Sequence, residues 1–198
     1  MSLNDNAAFV AAKGYVYMHD PATVTKPTPA QIAAFNETDG LGGTWVDLGH
    51  TSREDLPEFG FEGGDTETRG TWRSAVLREV ITEQAADYVI IRLHQFDDEG
   101  LSLYYGVENN STVEGEFEVL DAASSTREKS LCIVMVDGDS KIAFYAAKAS
   151  IRRDDSIEMS VDEFSVLPIR ATFLKPEGKG MFSWINEDIL NPAPAVTP

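Results

Sequence analysis

The residues of this 198-residue chain that could do chemistry fall short on spacing rather than on number. Three histidines, His19, His50 and His94, lie far apart, neither at helical spacing nor beside a cysteine, so no zinc-type ligand set is written in the sequence. His94 falls in YVIIRLHQ, in line with Tyr88, Ile90 and Arg92, where a half-buried strand position accounts for it. The single cysteine, Cys132, sits between Leu131 and Ile133 with no cationic neighbour to favour a thiolate, and reads as a buried, inert thiol. Paired carboxylates for glycosidic hydrolysis need one raised pKa beside a normal one. With 33 acids in the chain, closeness by chance is expected and carries no such meaning. Neither Asp97-Asp98-Glu99 nor Asp137-Gly138-Asp139 matches the twelve-residue calcium loop; the first suits a helix cap and the second a hairpin turn. The stretch KPEGKG at Lys175–Gly180 lacks the full glycine pattern of a phosphate loop and reads as a loop after a strand. No catalytic, metal or cofactor-binding residue is assigned, and no cofactor is expected.

Charge narrows the function further. Against 16 Lys and Arg stand 33 Asp and Glu, a net charge of −17. Such a surface repels DNA, RNA and anionic lipid alike, which argues against a protein that grips phosphate backbones. A content of 42% hydrophobic and 25% charged residues suits an ordered globular chain. One cysteine excludes an intrachain disulfide and fits assembly in the cytosol. The opening MSLNDNAAF lacks the marks of a signal peptide, and no apolar run approaches ~18 residues, so no membrane association is expected.

The elements that would position these residues are mostly strands. Met1–Ala12 reads as a polar arm, followed by a strand at Gly14–Met18. Thr28-Pro29 has the form of a helix N-cap with proline at the first position, ahead of a short helical stretch over Ala30–Phe35. Thr44–Leu48 is a short strand, strands resume over Trp72–Thr82, and Tyr88–Gln95 is the most β-prone segment. Asp97-Asp98 caps a helix over Glu99–Tyr105, closed by Gly106. Val113–Leu120 alternates, with Glu114, Glu116 and Glu118 on one face, and so predicts a strand. Leu131–Val136 is apolar on both faces, as a central strand would be, and Asp137-Gly138 turns it into Ile142–Ala147. Ile157, Met159 and Val161 alternate with polar residues, and Val166–Leu174 is a last long strand. The expected fold is mainly β, an antiparallel sandwich or barrel with one or two short helices. It forms a single domain over 13–190, with a flexible tail at 191–198.

Two features stand apart from this frame. The first is the stretch Gly49–Arg69, read as a long inter-strand loop with isolated Leu56, Phe59 and Phe61. From Glu37 to Glu67, nine acidic residues face one arginine, Arg53. Phenylalanines in such a loop need something to pack on, and a partner subunit would supply it. The second is the acidic face of Glu114, Glu116 and Glu118.

The chain resembles the major tail tube proteins of long, non-contractile-tailed bacteriophages (siphophages) of actinobacteriophage type. The resemblance is carried in order by GYVYMHD, TWVDLGHTSRED, WRSAVLREVITEQAADYVIIRLHQFDDEGLSLYYG, LCIVMVDGDSKIAFYAAKASI and DEFSVLPIRATFL, covering most of Gly14–Leu174. It implies a β-sandwich whose hexameric rings stack into a hollow virion tail tube, with strands shared between subunits around a channel for the genome. It implies partners as well: other copies of the chain, a tail tip or baseplate, a tape-measure protein and a tail terminator. By position, Gly49–Arg69 matches the family's inter-ring loop, which makes Arg53, Glu54, Asp55, Leu56, Phe59 and Phe61 the contact candidates. Six copies would carry −102 formal charges, and an acidic lumen denies DNA the cationic contacts that would retain it. Glu114, Glu116 and Glu118 are the lumen-facing candidates, and Arg73, Arg78, Arg152 and Arg153 the counterparts of the acidic loop. The arm and the long loop are expected to order on assembly. Two other classes stay open at this point: a carbohydrate- or host-surface-binding β-sandwich of a phage particle, and a hydrolase.

Overall fold

The computed structural model describes residues 8–120 and 126–187. The start of the arm, Met1–Ala7, and the Asn191–Pro198 tail lie outside the described residues. In chain order the elements are β1 (Lys13–His19), α1 (Pro29–Ala33), β2 (Val46–Asp47), β3 (Glu58–Glu62), β4 (Thr66–Thr71), β5 (Ser74–Ile81), β6 (Ala86–Leu93), α2 (Asp98–Tyr105), β7 (Arg127–Asp137), β8 (Ser140–Arg153), β9 (Leu167–Phe173) and β10 (Phe182–Ile185). One sheet runs β2-β1-β7-β8-β9-β6-β3, antiparallel throughout. β10 lies along Ala143–Ala146 of β8, while β9 pairs further on, at Ala149–Arg153. β4 and β5 form a separate two-stranded sheet. The expected mainly antiparallel β fold with two short helices is the one observed.

The period-2 rule explains the core. Along β7, Leu131 and Ile133 join Val16, Met18, Val89, Ile91, Leu93 and Ile169 in one buried cluster. Cys132 and Val134 point the other way and join Tyr17, Ile32, Phe35 and Tyr145 in a second. The first cluster draws on β1 and β7 and also on β6 and β9, from distant parts of one sheet, so the sheet folds over on itself. The chain from Val46 to Glu62 links its two edges. Leu48 N donates to Val16 O beside β1; then His94 N donates to His50 O and Ser52 N to Arg92 O beside β6. A cleft of about 710 Å³ remains between these edges, lined among others by Arg53, Leu56, Phe59, Met135 and Trp184.

The helices follow their caps. Thr28 and Gln31 form a reciprocal capping box ahead of Pro29, and Ile32 is the residue that α1 buries. Asp97 Oδ1 accepts from Gly100 N, Gly106 closes α2 in the left-handed region at φ 72°, and Leu103 and Tyr104 enter the first cluster. Gly138 at φ 58° makes the tight β7–β8 turn, which Asp137 and Ser140 close as a pair.

Three expectations are corrected. Val113–Leu120 is an irregular loop: Gly115 takes φ 82°, Asn109 Nδ2 donates to Glu116 O, and Glu118 N donates to Asn109 Oδ1. These local bonds give the backbone an alternative to a ladder, and among the described residues no strand pairs with it. Ile157–Val161 makes one bridge, Glu158 to Val166, and leaves Met159 and Val161 exposed. Gly49–Arg69 is not one loop, since β3 and most of β4 lie inside it. β10 follows the Lys175–Gly180 loop in a stretch with no sequence expectation, and pairs along β8 with Trp184 and Ile185.

Candidate functional site

The most unusual part of the surface is built from β4 and β5. Gly63 and Gly64, at φ 76° and 84°, turn the chain out of β3. Thr82 closes the base by donating both its backbone N and its Oγ1 to Asp65 O. The register runs from Thr66–Ile81 to Arg69–Arg78 and Thr71–Ser74, with a bulge at Gly70. A Cβ at Gly70 would lie 2.3 Å from the Ala75 carbonyl oxygen, so the bulge requires glycine.

Directly opposed residues share a face. Ala75, Leu77 and Ile81 therefore lie on one side with Glu79, while Val76 and Val80 lie on the other with Arg69 and Arg78. Trp72 at the turn is fully exposed, and Val76, Leu77 and Ile81 are exposed as well. A hairpin with no third strand is marginal in water. This one presents apolar side chains on both faces, the pattern of a buried strand, and among the described residues nothing in the chain covers them.

The loop candidates divide. Arg53 and Leu56 line the 710 Å³ cleft. Asp55 Oδ2 lies 4.0 Å from Arg92 Nε, and Glu54 is exposed. Phe59 packs within the chain, its ring centroid 4.8 Å from that of Phe144 and 5.3 Å from that of Trp184. The expectation that both phenylalanines await a partner is therefore corrected for Phe59, which is 38% exposed, while Phe61 is 69% exposed. Nearby, Arg170 on β9 holds Glu62 and, at 2.6 Å, Asp154, and its guanidinium lies 4.1 Å from the centroid of the Tyr88 ring. Burial opposes the charge on Arg170, but the hydrogen bonds from Asp154 and Glu62 outweigh it and hold the pKa above its ordinary value.

Within the chain, the acidic stretch is answered by cations other than the arginines expected to answer it between subunits. Among the described residues Arg73, Arg78, Arg152 and Arg153 form no ion pair; the partners of the acids are Arg170, Arg92, Lys13 and, within the hairpin, Arg69 with Glu67. Glu114, Glu116 and Glu118 are all exposed, but on a loop and not on one strand face, and Glu116 accepts from Ser111 Oγ.

The histidines and the thiol have ordinary surroundings. His94 Nδ1 lies 3.1 Å from Ser165 O, and His19 bonds Asp20 O and Thr44 Oγ1. Burial pushes the Cys132 thiol up to about 12. Among the described residues no cluster of His, Cys, Asp and Glu is arranged to hold a metal, and no helix is long and apolar enough to cross a membrane. The sequence reading missed the hairpin's own apolar residues. Their signal was present: Val76, Leu77, Val80 and Ile81 load both faces of a strand that follows a Gly-Thr-Trp-Arg turn.

Comparison with known proteins points one way. A family model described as "Phage tail tube protein" matches residues 1–197. The chain is 46% identical over 198 residues to the major tail protein Gp23 of Mycobacterium phage D29, covering 98% of each chain. It is also 46% identical over 195 residues to the major tail protein Gp23 of Mycobacterium phage L5, covering 96% of each.

Proposed function

The chain belongs to the phage tail tube protein family and is a structural component of a siphophage virion tail, and from that premise we propose that its copies form six-membered rings which stack into the conduit for the genome. The observation that carries this reading is the β4–β5 hairpin, whose apolar residues are exposed on the isolated chain. Burying a Leu, Val or Ile side chain is worth about 1.5–3 kcal/mol, and here that gain is left for association. Phe61, exposed in β3 two residues before the Gly63-Gly64 turn into the hairpin, supports the same use.

The net charge of −17 supports a channel that passes DNA without holding it. Placing Glu114, Glu116 and Glu118 along that lumen rests on their charge and exposure. The role is a structural one without catalysis, and association with a tail tip, a tape-measure protein and a terminator belongs to the same reading.

Electron microscopy of the purified chain at rising concentration tests it. Hollow tubes with six-fold end views are expected. Monomers alone at every concentration, with or without added tail tips, would overturn it.

A further inference from the structure

The hairpin's charge is as unusual as its exposure. Between Thr66 and Ile81 lie three arginines and two glutamates, a net charge of +1 in a chain of −17. Arg69 and Arg78 stand directly opposite each other, an arrangement that disfavours the hairpin unless an anion answers it. Arg73 and Arg78 have no ion pair among the described residues.

Among the described residues, a loop far along the chain has a complementary make-up. Residues 155–166 contain Asp155, Glu158, Asp162 and Glu163 and no Lys or Arg. None of these four acids has an ion pair among the described residues. Met159 and Val161 stand between them and Phe164 directly after, all strongly exposed. The loop at 113–120 is acidic too, but places only Val113 and Leu120 as exposed large apolar residues beside its carboxylates.

Their positions in the fold matter most. The hairpin leaves the sheet at the Ala86 end of β6, where β3 and β6 begin their pairing at Glu62 and Ala86. The 155–166 loop sits at the other end, where Leu93 pairs with Leu167 and the His94 ring lies 5.5 Å from that of Phe164. The eight residues of β6 run from one to the other, roughly 23 Å. A patch at one end that complements a different patch at the other makes a head-to-tail contact that repeats.

We propose that the β4–β5 hairpin of one copy docks on the 155–166 loop of a second copy. Arg73 and Arg78 face the carboxylates of Asp162 and Glu163, and Trp72 and Val76, which shares the Arg78 face of the hairpin, cover Met159, Val161 and Phe164. The proposal rests on the tube-forming reading and adds to it the acceptor surface and its chemistry.

Two single variants, Arg73→Cys and Val161→Cys, test it in the full chain, because the native thiol at Cys132 is buried. Mixed at tube-forming concentration under mild oxidation, they should give a cross-linked heterodimer at least ~10-fold above the homodimer of either alone. In a second arm, Arg73→Glu with Arg78→Glu should cut tube formation at least ~10-fold, and adding Asp162→Lys with Glu163→Lys should restore it. All four positions are exposed, so the fold is kept, and circular dichroism checks this. Tubes without the heterodimer, or with a stronger cross-link from Arg73→Cys to Glu116→Cys, would overturn the docking while the tube reading stands. Absence of any species larger than a monomer would overturn both.

Discussion

β7 and β8 meet across the tight turn at Gly138 and bury Ile133, Val134, Phe144 and Tyr145 in two clusters, one on each face. β4 and β5 meet across Trp72-Arg73 and leave Val76, Leu77 and Ile81 in water. Both are antiparallel hairpins with apolar residues on both faces. What separates them is company: β8 has β7 on one side and β9 and β10 on the other, while among the described residues β4 and β5 have only each other. Hairpin pairing is a local matter, but the stability of a hairpin is set by what covers its faces. The core hairpin stabilises the monomer. The exposed hairpin holds the same kind of apolar surface in reserve for association.

Several outcomes would break or sharpen that contrast. The largest effect is expected in the core. Phe144→Ala removes a fully buried ring that packs on Phe59, Phe173 and Trp184, and should lower monomer stability by about 3–5 kcal/mol in urea unfolding. A loss below about 1 kcal/mol would mean the core hairpin is no better supported than the exposed one. Next comes Arg170→Ala, which strips the mostly buried Asp154 of its counter-ion. It should cost about 2–4 kcal/mol, and a double variant with Asp154→Asn should recover part of the loss.

The alkaline limb is smaller and belongs to the core alone. The folded pKa of Cys132 is raised by burial from 9.0 to about 12, so its contribution is fully present below about 9 and is lost as pH climbs towards 12. The urea midpoint should therefore fall over that window, and Cys132→Val should flatten part of the fall. An unchanged slope would remove the thiol from the account. In the native monomer at neutral pH, Cys132 should also resist a thiol reagent.

The smallest effect on the monomer is expected in the exposed hairpin. Leu77→Ser should shift the urea midpoint by no more than about 0.5 kcal/mol equivalent while reducing tube formation strongly. If both quantities moved together, the hairpin would be part of the monomer's own stability. Amide exchange sharpens the point: 66–81 should exchange fast in the monomer and at least ~100-fold more slowly in tubes, while 131–136 should be protected in both.

Much of this was legible from short range. Thr28-Pro29 with Gln31, Asp97 with Gly100 and Gly106, and the Asp137-Gly138 turn each act within a few residues, and each forms as its sequence suggests. The apolar run Leu131–Val136 was readable for the same reason, since both its faces demand cover. By contrast Val113–Leu120 alternates as cleanly as a strand can, yet among the described residues it has no partner strand, and Asn109 bonds part of its backbone instead. Alternation says which side chains would share a face, and pairing decides whether the face exists.

The candidate site shows the same division. The sequence alone determined the antiparallel β class, the capped helices, the excess of acid and the lack of any spaced catalytic set. Only the tertiary structure decided that Phe59 finds its partners in Phe144 and Trp184, that residues 66–81 stand apart from the sheet, and that this hairpin and the acidic 155–166 loop occupy opposite ends of β6. Caps and turns are closed by neighbours in the chain. Exposure, and the distance between two complementary patches, depend on which strands lie between them.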